Sequence, residues 1–186
     1  MNAKPLEVLY PQRRHIRLSS YDYTWQGAYF ITICTYEKQC LFGNIVESSM
    51  KLNPCGEIVQ LCWKDIPIHY HEVTNEVFIV MPNHVHGIIS IHNANGRSGS
   101  KPDPTRKHPL SEIVRVFKTY SSRGINEHRN SQGTSVRQRS YYEHVIRSES
   151  EYQQIGEYIV FNAAKWETDL ENSNARLITP PLPFEH

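Results

Sequence analysis

His84-Val85-His86 is the first place in this chain where residue types and spacing could do chemistry. On a β-strand, residues i and i+2 point to the same face, so two imidazoles there project together, about 7 Å apart along the backbone. Such a pair is a two-pronged metal ligand that needs no unusual backbone. The chain has 10 histidines, and His69 and His71 form a second H-x-H, so two surface or structural histidines are the plainer reading of the spacing alone. Two neutral imidazoles are too few ligands for an ion, and further ones must come from elsewhere in the fold.

A second candidate lies near the end of the chain. Side chains four residues apart share a helix face, and among the tyrosines after residue 100 only Tyr158 has an amide or carboxylate four residues on, in Asn162. The same face continues to Gln154 and Lys165, while Tyr152, Ile155 and Ile159 form an apolar stripe. Such a helix packs by one stripe and presents Tyr158, Asn162 and Lys165 from another; the plainer reading of Tyr158 is a half-buried packing residue. The four cysteines, Cys34, Cys40, Cys55 and Cys62, follow no CxxC spacing and read as packing residues.

Strand and helix signals suggest what positions these groups. Residues 27–35 (GAYFITICT) are aromatic and β-branched, as in a strand. Leu41–Val46 and Met50–Leu52 read as two short strands. Asn53-Pro54 is a helix start, with Asn as cap and Pro in the first turn. That helix is expected to pass Ile58, Leu61, Cys62 and Ile66 and stop before Pro67. Residues 76–91 read as two strands broken at Pro82-Asn83, or as one long strand with a bulge there. Residues 92–109 hold Gly, Ser, Asn, Pro and charge without apolar period and read as a loop. Leu110, Ile113, Val114, Phe117 and Tyr120 then fall at helical spacing. Ser148 and Glu151 form a capping box opening a last helix to about Glu167. The sum is an antiparallel α+β layout of four or five strands and three helices.

Length and composition bound the class. The chain has 186 residues, 39% hydrophobic, 21% charged and 11% aromatic, which fits one globular domain and excludes a disordered or collagen-like chain. No apolar run approaches the roughly 20 residues that cross a bilayer, and residues 1–14 lack a signal-peptide core, so no membrane partner and a cytoplasmic location are expected. The net charge of +1 conceals segregation. Residues 97–139 carry ten basic and three acidic side chains, and residues 140–186 carry three and eight. A basic stretch of that density fits either a surface that meets phosphates or a solvated linker.

Several segments carry a family resemblance. MPNHVHGII at 81–89 is similar to the HUH motif (His, hydrophobic, His) of single-stranded-DNA transposases with one catalytic tyrosine. The segments at 13–35, 40–43 (CLFG), 110–126 (LSEIVRVFKTYSSRGIN) and 137–166 resemble, in order, the branch called REP-associated tyrosine transposases. The resemblance covers most of residues 13–170. It implies a ferredoxin-like or RRM-like HUH fold, with His-x-His on a central strand and the catalytic tyrosine on a C-terminal helix. It further implies one HUH domain over 1–170, with the basic loop 92–109 inserted and 171–186 as a tail.

The resemblance implies roles as well. His84 and His86 fall on metal-binding histidines, Tyr158 on the nucleophile, and Asn162 on a further metal ligand. Imidazole with oxygen ligands suits Mn²⁺ or Mg²⁺. Cleavage and rejoining of single-stranded or hairpin DNA through a 5′-phosphotyrosine is the implied activity. Arg115, Lys118 and Arg123 would hold the DNA backbone, with Arg13, Arg14 and Arg17 as a second contact and Lys165 beside the tyrosine. A homodimer stays open. Two positions depart from the family pattern: Arg137 replaces a tryptophan, which bears on local packing, and Ala163 replaces a proline, which lets the last helix continue. A DNA-binding protein without catalysis, and a small metal-dependent hydrolase or zinc module using only the H-x-H pair, are the alternatives.

Overall fold

The computed structural model describes residues 26–92, 108–169, 171 and 172. Arg13, Arg14 and Arg17, most of the 92–109 loop and residues 173–186 of the expected tail lie outside these residues. In chain order the elements are β1 (Gly27–Cys34), β2 (Gly43–Val46), β3 (Ser49–Leu52), α1 (Pro54–Lys64), α2 (Ile66–His69), β4 (Val73–Thr74), β5 (Phe78–Val80), β6 (His84–Ile91), α3 (Leu110–His128), β7 (Tyr142–Ile146) and α4 (Glu149–Val160). A 3-10 helix, Ala163–Thr168, follows α4.

Five strands form an antiparallel sheet in the order β4-β6-β1-β7, with β5 pairing the other end of β6. The fold is therefore α+β, and His84 and His86 stand on an interior strand flanked by β1 on one side and β5 on the other. β2 and β3 make a separate hairpin. Its turn residues Glu47 and Ser48 both have positive φ, 49° and 58°, as a two-residue hairpin turn of the right twist requires.

Strand alternation divides the sheet into two faces. Tyr29, Ile31, Ile33, Val85, Ile89 and Val145 join Val59 and Trp63 of α1 and Ile113, Val114 and Phe117 of α3 in the larger core. Phe30, Ile88 and Ile146 meet Ile155 and Ile159 of α4 in a smaller one. The register aligns Thr32 with His86 and with Tyr142 across the sheet, so the histidines belong to the α4 face.

Three expectations need correction. The first helix does not reach Ile66: it ends at Lys64, and Pro67 sits in the first turn of a second helix, α2. Pro67 has no N–H to continue the ladder of the first helix, so that helix ends, and Pro67 sits in the first turn of α2, where the missing N–H is harmless. The last helix does not run to Glu167; it stops at Val160 with Phe161 as its cap, and resumes as the 3-10 segment despite Ala163. The strand β7 was not anticipated, because YEHVI places Glu143 and His144 in its middle and carries only a weak apolar alternation.

Candidate metal and nucleophile site

Two imidazoles meet on the α4 face. Both histidines are buried, and their ring centroids lie 4.4 Å apart at 65°. His86 Nδ1 is 2.9 Å from Thr32 Oγ1, and His84 Nδ1 is 2.8 Å from Asn83 Oδ1. Each ring thus has a polar partner on its inner nitrogen, the arrangement that orients metal-binding histidines.

The helix α4 brings the tyrosine. Ser148 caps it by accepting from the Glu151 N–H at 3.1 Å, and Ile155 and Ile159 seat it on Phe30 and Ile88. Tyr158 lies on the flank of that stripe, half-buried, edge-on to Phe30 with centroids 6.1 Å apart. Its hydroxyl is 3.3 Å from His86 Nε2. Asn162 follows one turn later, past the helix cap, and is buried. Its amide donates to Asp169, and its Oδ1 is buried without a hydrogen-bond partner. An orphaned buried carbonyl oxygen beside a carboxylate is the state expected of a donor set that closes on a cation.

Asp169 is the residue that sequence reasoning missed. After the 3-10 helix the chain turns back, and the Asp169 carboxylate joins His84 and His86, the three ligand atoms lying within 4.8 Å of one another. Burial pushes the Asp169 carboxyl above its usual range, against the opposing pull of His86, the Asn162 amide and Lys38. No periodicity links position 169 to 84 or 158, and the acidic run 167–171 looks like a solvated face. Glu171 is buried too: its carboxylate accepts from Cys34 Sγ at 3.2 Å and pairs with Lys38 Nζ at 3.2 Å.

The basic residues of α3 are elsewhere. α3 packs on the opposite face of the sheet, where Arg115, Lys118, Arg137 and Arg139 line an open groove between α3 and residues 134–141. Lys118 Nζ donates to the Gln138 and Arg139 carbonyls, each at 2.8 Å, and burial together with Arg137 lowers its pKa to about 8. Arg123 is exposed and paired with Glu127 at 2.8 Å. Lys165 is exposed on the 3-10 helix that carries the chain from Asn162 to Asp169. Arg137 is buried, with its guanidinium held 5.1 Å from the centres of both Phe42 and Phe117. Burial lowers its pKa to about 10.

The α+β fold, with His-x-His on an interior strand of an antiparallel sheet, is consistent with the HUH fold. Among solved structures, the chain resembles a REP-associated tyrosine transposase bound to a REP hairpin, with a TM-score of 0.51 and 16% identity over 76% of this chain and 68% of that one. At that identity the likeness is one of fold. No protein-family model matches the chain. It is 42% identical over 168 residues to an uncharacterized protein of Haemophilus influenzae, spanning 84% of this chain and 91% of that protein. The chain belongs to the same family as that protein. Among the described residues, no helix is long and apolar enough to cross a membrane.

Proposed function

We propose that this protein is a metal-dependent tyrosine transposase of the HUH type, REP-associated, that cleaves and rejoins single-stranded DNA at hairpin or repeat sequences, with residues 1–170 acting as one domain. The observation that carries the reading is the Tyr158 hydroxyl 3.3 Å from His86, a residue of the three-ligand cluster with His84 and Asp169. Nucleophile and ligand cluster are thus contiguous, as in-line attack on a held phosphate demands.

The donors fit a divalent ion. Two imidazole nitrogens, the Asp169 carboxylate and the orphaned Asn162 oxygen form a mixed nitrogen–oxygen set that suits Mn²⁺ well and Mg²⁺ acceptably. An ion held there would polarise the scissile phosphate and offset the charge that builds during displacement. Tyr158 Oη forms the bond to phosphorus as the bond to the 3′ oxygen breaks. The phenol gives up its proton to solvent, and the departing oxygen takes one up as a 3′-hydroxyl. The 5′-phosphotyrosine keeps the energy of the broken ester, so attack by a 3′-hydroxyl rejoins the strand without ATP. Arg115, Lys118 and Arg123 of α3, with Arg13, Arg14, Arg17 and Lys165, supply cations for the DNA backbone.

The test is a denaturing gel of the protein incubated with a hairpin oligonucleotide bearing a single-stranded flank, with and without Mn²⁺. A covalent adduct should form only with the ion, and Tyr158→Phe, which removes one oxygen, should form none. Tyr142→Phe should retain it. Binding without an adduct would mean a silent DNA-binding protein; cleavage without an adduct would mean a hydrolase; an adduct on a peptide lacking residue 158 refutes the nucleophile.

A further inference from the structure

Asn83 precedes the first histidine, in the turn between β5 and β6, and is buried at 1% exposure. Its Nδ2 lies 3.1 Å from the Lys38 carbonyl oxygen and 2.7 Å from that of Glu171. A backbone carbonyl only accepts, so both contacts demand an N–H, and the amide's orientation follows without reference to any histidine. Oδ1 is then the atom 2.8 Å from His84 Nδ1. An amide oxygen only accepts in turn, so His84 Nδ1 must carry the hydrogen. In neutral imidazole the lone pair is then on Nε2. The partner of His86 imposes no such choice, because the Thr32 hydroxyl at 2.9 Å can either donate or accept.

The same amide reaches two other parts of the site. Lys38 follows Glu37 in the left-handed region, at φ 54° and 52°, a conformation that non-glycine residues hold only when their surroundings impose it. Asn83 secures that turn through the Lys38 carbonyl, and Lys38 Nζ reaches the Glu171 carboxylate. Glu171 stands two residues after Asp169, and its N–H donates to the Asp169 carboxylate. Holding the Glu171 carbonyl therefore holds the segment that delivers Asp169.

We propose that Asn83 is a positioning residue for the metal centre: its oxygen locks His84 in the Nδ1–H tautomer with Nε2 as the ligating nitrogen, and its nitrogen fixes the segment after the 3-10 helix that presents Asp169. This rests on the reading of His84, His86 and Asp169 as a metal centre. Removing Asn83 takes away the acceptor that keeps hydrogen on Nδ1 and the donor that keeps Asp169 in place.

The experiment uses the full chain labelled with ¹⁵N-histidine and read without metal, at a pH where the imidazoles are neutral. Wild-type His84 should show a protonated Nδ1 and an unprotonated Nε2. Asn83→Ala should lose that pattern at His84 and leave His86 unchanged. Asn83→Asp keeps an acceptor but loses both donors, so it should keep the tautomer. Mn²⁺ titration followed by electron paramagnetic resonance should show affinity lower by about tenfold to a hundredfold in Asn83→Ala, the range typical of lost outer partners. Asn83→Asp should fall between the two. A wild-type His84 pattern in Asn83→Ala overturns the proposal, and so does loss of Nδ1 protonation in Asn83→Asp, the variant that decides if the alanine form does not fold. A wild-type protein that binds no Mn²⁺ refutes the metal centre of the proposed function, whereas the ring-nitrogen spectra judge Asn83's hold on His84 independently.

Discussion

The two faces of strand β6 are built from alternate residues of one short sequence and do opposite jobs. Val85, Gly87 and Ile89 point toward α1 and α3, into a core of aliphatic and aromatic side chains. His84, His86 and Ile88 point toward α4, where a smaller apolar cluster of Phe30, Ile88, Ile146, Ile155 and Ile159 seats the helix among the described residues and the polar groups lie beside it. Burying two imidazoles, an amide and a carboxylate is unfavourable unless each finds a partner. The α4 face accepts that cost because the other face supplies the cohesion. Stability and chemistry are thus separated by the period of two of a β-strand, and substitutions on neighbouring residues should fail in different ways.

The sharpest break in the comparison comes from the polar face. His84→Ala with His86→Ala removes both imidazoles and should lower strand cleavage by about a thousandfold or more, since metal assistance supplies several kcal/mol of transition-state stabilisation. Hairpin affinity should survive, because it comes mainly from phosphate contacts. Melting temperature, read by circular dichroism, should fall because two buried rings and their hydrogen bonds are lost, but the folded protein should still lack cleavage at temperatures well below the melt. Undiminished cleavage would remove these residues from the mechanism.

The apolar face should show the converse. Ile89 is fully buried in the larger core, and Ile89→Ala should cost about 2–5 kcal/mol in urea denaturation. Cleavage per folded molecule should stay near wild type. Gly87 is the position where the two faces cannot be separated. A Cβ there would lie 2.5 Å from a Trp63 ring carbon, and Trp63 is itself stacked on Phe78 with centroids 4.3 Å apart. Gly87→Ala should cost about 1–3 kcal/mol through overpacking, and because His86 adjoins it, cleavage should fall as well. An alanine variant as stable as wild type would show that the Trp63 ring yields.

The legible parts of the molecule are those governed by local period. His-x-His on a strand, Tyr158 and Asn162 one helical turn apart, the Asn53-Pro54 start and the Ser148 cap all follow from spacing, and the structure places each side chain on the anticipated element except Asn162, which falls just past the helix end. Illegible parts depend on contacts distant in sequence. Asp169 enters the site only because the chain turns back after the 3-10 helix, and Asn83 matters through the Lys38 and Glu171 carbonyls. β7 is an edge strand whose polar residues serve other partners. Charge in a sequence signals a surface, yet Lys118 donates to two backbone carbonyls and Arg137 sits between two aromatic rings.

The smallest expected effect tests how firmly α4 is joined to the sheet that carries the histidines. Glu151, in the first turn, accepts from His144 Nε2 of β7 at 2.7 Å and from the Arg147 N–H at 2.6 Å. Partial burial alone would raise its carboxyl, but the Arg147 N–H and His144 outweigh that and hold it below the usual carboxylate range. A carboxyl depressed in the folded state adds stability above its unfolded pKa and loses it as pH falls through the folded value. Glu151→Gln keeps the side-chain length and one acceptor while removing the charge, and should cost about 1 kcal/mol at neutral pH. The difference from wild type should shrink as the solution is acidified below pH about 4 and the native carboxyl takes up its proton. Urea melts of both proteins across that range measure it. A gap that stays constant with pH would mean that Glu151 anchors the helix by shape alone, and that charge plays no part in holding Tyr158 over His86.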